Sequence, residues 1–104
     1  MKEPDLVHVC ALEEIPAGEA RAFDVEGYEI AIINTGGDVY AVENRCPHQG
    51  SPLDEAEIVG ESLVCPEHGW VIDLTSGEVV DHDGYSVATF PIILEDDQVY
   101  VQLG

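Results

Sequence analysis

The chain has 104 residues, of which 22 are Asp or Glu and only three are Lys or Arg, for a formal net charge of −19. This length suits a single domain with a modest core. So acidic a surface repels the phosphates of nucleic acids and of anionic membranes, which excludes both as binding partners. Two explanations of the acidity stay open, namely solubility, as in a halophilic source, and attraction to a basic surface on a partner protein.

Strand signals dominate the sequence. Short β-branched runs alternate with Gly, Pro, Asn and Asp at spacings of about ten residues, which is typical of an all-β fold. Only Ala11–Ile15 indicates a helical turn. The predicted strands are Leu6–Cys10, Arg21–Val25, Tyr28–Ile33, Val39–Glu43, Ser62–Val64, Trp70–Asp73, Ser86–Phe90, Ile92–Leu94 and Gln98–Leu103. Periodicity therefore predicts a small antiparallel β-barrel or sandwich.

Membrane and export signals are missing from the pattern. No apolar run approaches the roughly 20 residues that a membrane-spanning helix needs, and the first ten residues, MKEPDLVHVC, lack the apolar segment of a signal peptide. We therefore expect a cytoplasmic protein with no membrane association.

Two short motifs carry the metal chemistry. Cys46-Pro47-His48 and Cys65-Pro66-Glu67-His68 each offer one thiolate and one imidazole. Two such loops could hold a [2Fe–2S] centre with Cys on one iron and His on the other. They could also hold a structural zinc ion, although a single residue between Cys46 and His48 is tight for one tetrahedral ion. A disulfide between Cys46 and Cys65 would leave both histidines without a role.

The residues around the ligands resemble a known family. The segments CPHQGSPL and CPEHGWVIDLTSGE are similar to the paired motifs of Rieske proteins. The resemblance extends over nearly the whole chain and implies one Rieske-type [2Fe–2S] cluster per chain. It implies that Cys46 and Cys65 bind the inner iron, while His48 and His68 bind the outer iron. It also implies a Rieske fold over residues 1–104, in which a base of residues 1–42 and 82–104 carries an inserted cluster-binding subdomain of residues 43–81.

Departures from the high-potential members of the family indicate a low reduction potential. Those members have an additional Cys in each loop, joined as a disulfide, where this chain has Ser51 and Glu67. They also place Ser and Tyr hydroxyls near cluster sulfur, where this chain has Trp70 and Ile72. We expect a potential near the low end of the range of roughly −150 to +300 mV. The third cysteine, Cys10, lies in an alternating stretch and is expected to be a small buried side chain.

The resemblance implies a function but leaves alternatives. The first is a ferredoxin, an electron carrier and not an enzyme, which passes single electrons from a flavin-dependent reductase to a terminal oxygenase in aromatic hydrocarbon catabolism. We expect such a carrier to be a monomer. The segment DGYSVATFPIILEDDQVYV is equally similar to the small subunit of assimilatory NAD(P)H nitrite reductase, whose partner would be the large subunit. A zinc-binding structural module is the third possibility.

Overall fold

A computed structural model describes residues 6–45, 52–65, 69–82 and 84–103, and within them it places ten short strands. Their bounds are β1 Leu6–Ala11, β2 Glu19–Val25, β3 Tyr28–Asn34, β4 Val39–Glu43, β5 Glu57–Val59, β6 Ser62–Val64, β7 Val71–Asp73, β8 Thr89–Phe90, β9 Ile92–Glu95 and β10 Gln98–Gln102. One turn of 3-10 helix, Leu12–Glu14, follows β1. The predicted all-β fold is confirmed.

The strands form three antiparallel sheets. The first has the order β1-β10-β9, the second β2-β3-β4-β8 and the third β5-β6-β7. The first two sheets contain strands from both ends of the chain, whereas the third is formed by consecutive strands between residues 57 and 73. The third sheet thus lies inside the span predicted for the cluster-binding subdomain.

Strand β3 is the centre of the molecule because both of its faces are buried. Ile30 and Ile32 pack in one core with residues of β1 and β10, whereas Ala31 and Ile33 pack in a second core with residues of the third sheet. All four side chains have no exposed surface. The second sheet therefore lies between two layers, which explains why β3 is apolar without alternation.

The structure differs in three details from the elements predicted from the sequence. Strand β5 was not predicted, because Glu57-Ile58-Val59 is a three-residue segment among acidic residues. The strand predicted at Ser86–Phe90 is wrong over most of its length, since only its last two residues form β8. Ser86 instead makes an isolated bridge to Glu78, and Val87 donates its N–H to the carbonyl of Gly77. The helical turn expected near Ala11–Ile15 is present as the 3-10 turn.

Candidate metal centre

The second ligand motif begins at the end of β6 and leads into β7. The backbone N–H of Cys65 donates to the carbonyl of Trp70 at 2.8 Å, and the N–H of Gly69 donates to the carbonyl of Cys65 at 3.0 Å. Gly69 has φ = 70°, a left-handed conformation that suits glycine. The two ends of the motif are therefore held side by side, while His68 lies outside the described residues.

The Cys65 side chain lies inside the second core. It is only 2% exposed and its thiol is free, not part of a disulfide. Its neighbours in this core include Leu53, Leu63 and Trp70. A buried free thiol at the base of a closed loop fits a thiolate ligand of a [2Fe–2S] cluster, because such a ligand must be unoxidised and shielded from water.

Described residues flank the first ligand motif in the chain on both sides. Cys46 and His48 themselves lie outside the described residues, as does Ser51. Asn44 precedes the motif and Leu53 follows it, and both are buried. The side-chain oxygen of Asn44 accepts the backbone N–H of Leu53 at 2.7 Å, so the two ends of this motif are also held together.

One core joins the two motifs. Leu53 follows the first motif, while Cys65 and Trp70 begin and end the second, and all three belong to the same cluster of buried side chains. The structure thus brings the bases of both loops together, as the proposed ligand set requires. Of that set it describes Cys65 alone, and coordination by Cys46, His48, Cys65 and His68 stays a prediction.

Three aromatic rings lie beside the second motif. The Trp70 ring is buried and stacks on His82, with ring centroids 4.0 Å apart and an interplanar angle of 21°. Tyr85 contacts the same indole edge to face at 4.8 Å. The structure makes His82 an exposed cover for Trp70, a contact that no spacing in the sequence indicates.

Cys10 and His8 are not part of this site. Cys10 is 3% exposed in the other core, where burial raises the pKa of its thiol from 9.0 to about 11. The expected burial of this side chain is confirmed, and the raised pKa disfavours the reactive thiolate form. His8 is exposed, and its Nε2 forms a hydrogen bond with Oε1 of Gln98 at 2.7 Å.

Within the described ranges, no helix has the length and apolar character that crossing a membrane requires.

This fold and site define a class of small all-β proteins in which the residues that flank two Cys/His sequence motifs share one core. Residues 5–91 match the Rieske [2Fe-2S] domain, and the chain belongs to that family. It is 29% identical over 98 residues to the ferredoxin component of the naphthalene 1,2-dioxygenase system of Pseudomonas aeruginosa, covering 93% of this chain and 94% of that one.

Two solved structures show the same fold. The ferredoxin of carbazole 1,9a-dioxygenase from Nocardioides aromaticivorans superposes with a TM-score of 0.82 at 27% identity, covering 92% of this chain and 95% of that chain. A protein described as a putative NADH-dependent nitrite reductase small subunit from Mycobacterium tuberculosis has a TM-score of 0.90 at 19% identity, covering 99% and 98%. At that identity the second likeness concerns the fold alone.

Proposed function

We propose that this protein is a low-potential Rieske ferredoxin that carries single electrons from a flavin-dependent reductase to a terminal oxygenase. The observation that carries the proposal is the near full-length match to the ferredoxin component of a dioxygenase system, 94% of which is covered. That relative offers little additional chain in which a substrate site could lie. The cytoplasmic location and the monomeric state stay predictions.

The ligands proposed for the cluster are Cys46, His48, Cys65 and His68. A Rieske cluster accepts and releases one electron, and histidine ligation raises its potential above that of a cluster with four cysteines. The chain itself would hold the ligands, exclude water from the buried thiol of Cys65 and present a docking surface. Trp70 contributes to that exclusion because its indole is only 8% exposed.

The docking surface is proposed on the flank of the second motif. Val80 and Tyr85 are 60% and 46% exposed there, which is high for apolar side chains, and His82 lies between them in the chain. Acidic residues adjoin this patch at Glu78 and Asp81. A partner that fits would place an apolar centre against Val80 and Tyr85 and basic side chains around it.

The first experiment is a reductive titration of the purified protein followed by EPR, with iron, acid-labile sulfide and zinc measured on the same sample. Two irons, two sulfides and a rhombic signal near the low end of the Rieske range support the proposal. A colourless sample that contains zinc and gives no signal would refute it in favour of the structural module.

The docking surface is tested by the rate of electron transfer to a terminal oxygenase of an aromatic-ring dioxygenase system. Val80→Ser should lower the second-order rate several-fold while leaving the reduction potential unchanged. Leu94→Ser is the matched control, because Leu94 is 48% exposed on β9 in the first sheet. Equal rates for both variants would place docking elsewhere.

Nitrite reductase is the second candidate, because the segment DGYSVATFPIILEDDQVYV resembles the small subunit of that enzyme in sequence. A small subunit should form a stable complex with a sirohaem-containing large subunit, whereas a carrier should dissociate after each transfer. Size-exclusion chromatography of the protein mixed with each partner distinguishes the two. Co-elution with the sirohaem protein alone would favour the reductase subunit.

A further inference from the structure

Asn44 is the sole buried polar side chain among the residues that the structure describes, with 5% exposure. It lies directly after β4, two residues before Cys46. A buried amide is costly unless its donor and acceptor atoms are paired. The partners of this amide therefore indicate why an asparagine is placed here.

The Asn44 side chain is paired through both of its polar atoms. Its Oδ1 accepts the backbone N–H groups of Leu53 at 2.7 Å and of Asp54 at 2.9 Å. Its Nδ2 donates to Oε2 of Glu29 at 3.0 Å, and its backbone N–H donates to the Glu29 carbonyl, also at 3.0 Å. Asn44 thus connects β3 with the chain on the far side of the first ligand motif.

We propose that Asn44 is a positioning residue that closes the base of the first ligand loop and so holds Cys46 and His48 against the second loop. The inference rests on the proposed function in one respect, namely that Cys46 and His48 are ligands. Hydrogen bonds through Asn44 supply a non-covalent restraint at the base of the loop.

The chemistry of the contact requires an amide. An aspartate could still accept from Leu53 and Asp54, but it could not donate to Glu29 and would place two carboxylates together. In Asn44→Asp combined with Glu29→Gln, the Gln side chain can donate to the Asp carboxylate, which restores the bond with its direction reversed. Glu29→Gln alone keeps an acceptor for Asn44 and should behave like the wild type.

The experiment compares five variants with the wild-type holoprotein, namely Asn44→Ala, Asn44→Asp, Glu29→Gln, the double variant and Asn34→Ala. Release of iron to a ferrous chelator measures cluster retention, EPR and redox titration report cluster geometry and potential, and amide hydrogen exchange of a peptide that contains residues 53 and 54 reports the clamp directly. Asn34→Ala is the matched control. Asn34 likewise bonds through both atoms, to the carbonyl of Ile15 at 2.8 Å and the N–H of Gly36 at 2.9 Å, but at the end of β3 that precedes β4.

Asn44→Ala should release iron about tenfold faster or more, shift the EPR signal and potential, and lose exchange protection at residues 53 and 54. The reason is that the buried N–H of Leu53 and the part-buried N–H of Asp54 lose their acceptor. Asn44→Asp should show a smaller change, and the double variant should recover most of the wild-type values. Asn34→Ala should leave the EPR signal, the potential and the iron release unchanged well below its melting temperature.

The proposal would be overturned if Asn44→Ala kept the iron release, EPR signal and potential of the wild type. It would also be overturned if Asn34→Ala changed these three properties as much as Asn44→Ala does. If Asn44→Ala fails to fold, Asn44→Asp and its rescue by Glu29→Gln decide the question, and no rescue counts against the clamp. Failure of the proposed function has a different signature, because the wild-type protein itself would then lack iron and sulfide.

Discussion

Gly77 provides the sharpest test of how tightly the chain packs between β7 and β8. It lies in the turn that follows β7, with φ = 82°. Its N–H donates to the carbonyl of Asp73 and its carbonyl accepts from Val87, both at 2.7 Å. A Cβ at this position would lie 2.3 Å from the Val87 carbonyl oxygen and 2.9 Å from Cγ2 of Thr89. The backbone cannot retreat without breaking those hydrogen bonds.

Gly77→Ala should lower the free energy of unfolding for two reasons. A left-handed conformation costs an L-residue about 1–2 kcal/mol. Forcing a methyl group against a backbone carbonyl costs about 1–3 kcal/mol, the usual range for overpacking. We therefore expect a loss of roughly 2–5 kcal/mol, which for a domain of this size lowers the melting temperature by about 10 °C or more.

Gly18→Ala isolates the conformational part. Gly18 has a nearly identical φ of 84°, but an added Cβ there meets no atom within 4 Å. Both variants and the wild type should be melted at one scan rate, with far-UV circular dichroism and the visible absorption of the cluster followed together, because cofactor loss makes unfolding irreversible. Gly18→Ala should lose only about 1–2 kcal/mol. Equal melting temperatures for the two variants would refute the steric argument.

Three further outcomes are expected. Leu63→Ala should lower the free energy of unfolding by about 2–5 kcal/mol and hasten cluster loss, because Leu63 is fully buried in the core that contains Cys65. Val59→Ala is the control, since Val59 is 52% exposed and its loss should change the free energy of unfolding by about 0.5 kcal/mol or less in a denaturant titration. Stability should fall between pH 9 and 11, because the folded state keeps the Cys10 proton after the unfolded state has released it, and Cys10→Ala should flatten this fall in a series of melting curves. The emission of Trp70, the single tryptophan, should rise when acid removes the cluster, and unchanged emission would place the indole away from the metal centre.

The long strands could be predicted from sequence because their pattern and their turns agree. Strands β3 and β4 occur close to their predicted bounds, because turn residues at Glu26-Gly27 and Gly36-Gly37-Asp38 precede their apolar runs. Strand β5 could not be predicted in the same way. It contains one apolar side chain that packs against the core, and only pairing with β6 makes it a strand.

The sequence predicts which residue types bind the metal at the candidate site, but it does not predict which residues support those ligands. The pattern of Cys65 and its neighbours indicates a metal ligand, and its burial is consistent with that role. Asn44 gives no such signal, because a single polar residue after a strand usually begins a solvated loop. Its role depends on Glu29, fifteen residues earlier, and on Leu53, nine residues later, which only the folded chain brings together.

The turn between β3 and β4 has a consequence for the metal centre. Because β3 is apolar on both faces, sliding it by one residue against β4 would still bury apolar side chains, so hydrophobicity does not fix this alignment. The turn at residues 35–38 does, since the N–H of Thr35 donates to the carbonyl of Asp38 at 2.9 Å and Asn34 is set opposite Val39. A shift by one position would present Tyr28 or Ile30 to Asn44 in place of Glu29. The geometry of this hairpin turn thus selects which side chain supports the first ligand loop.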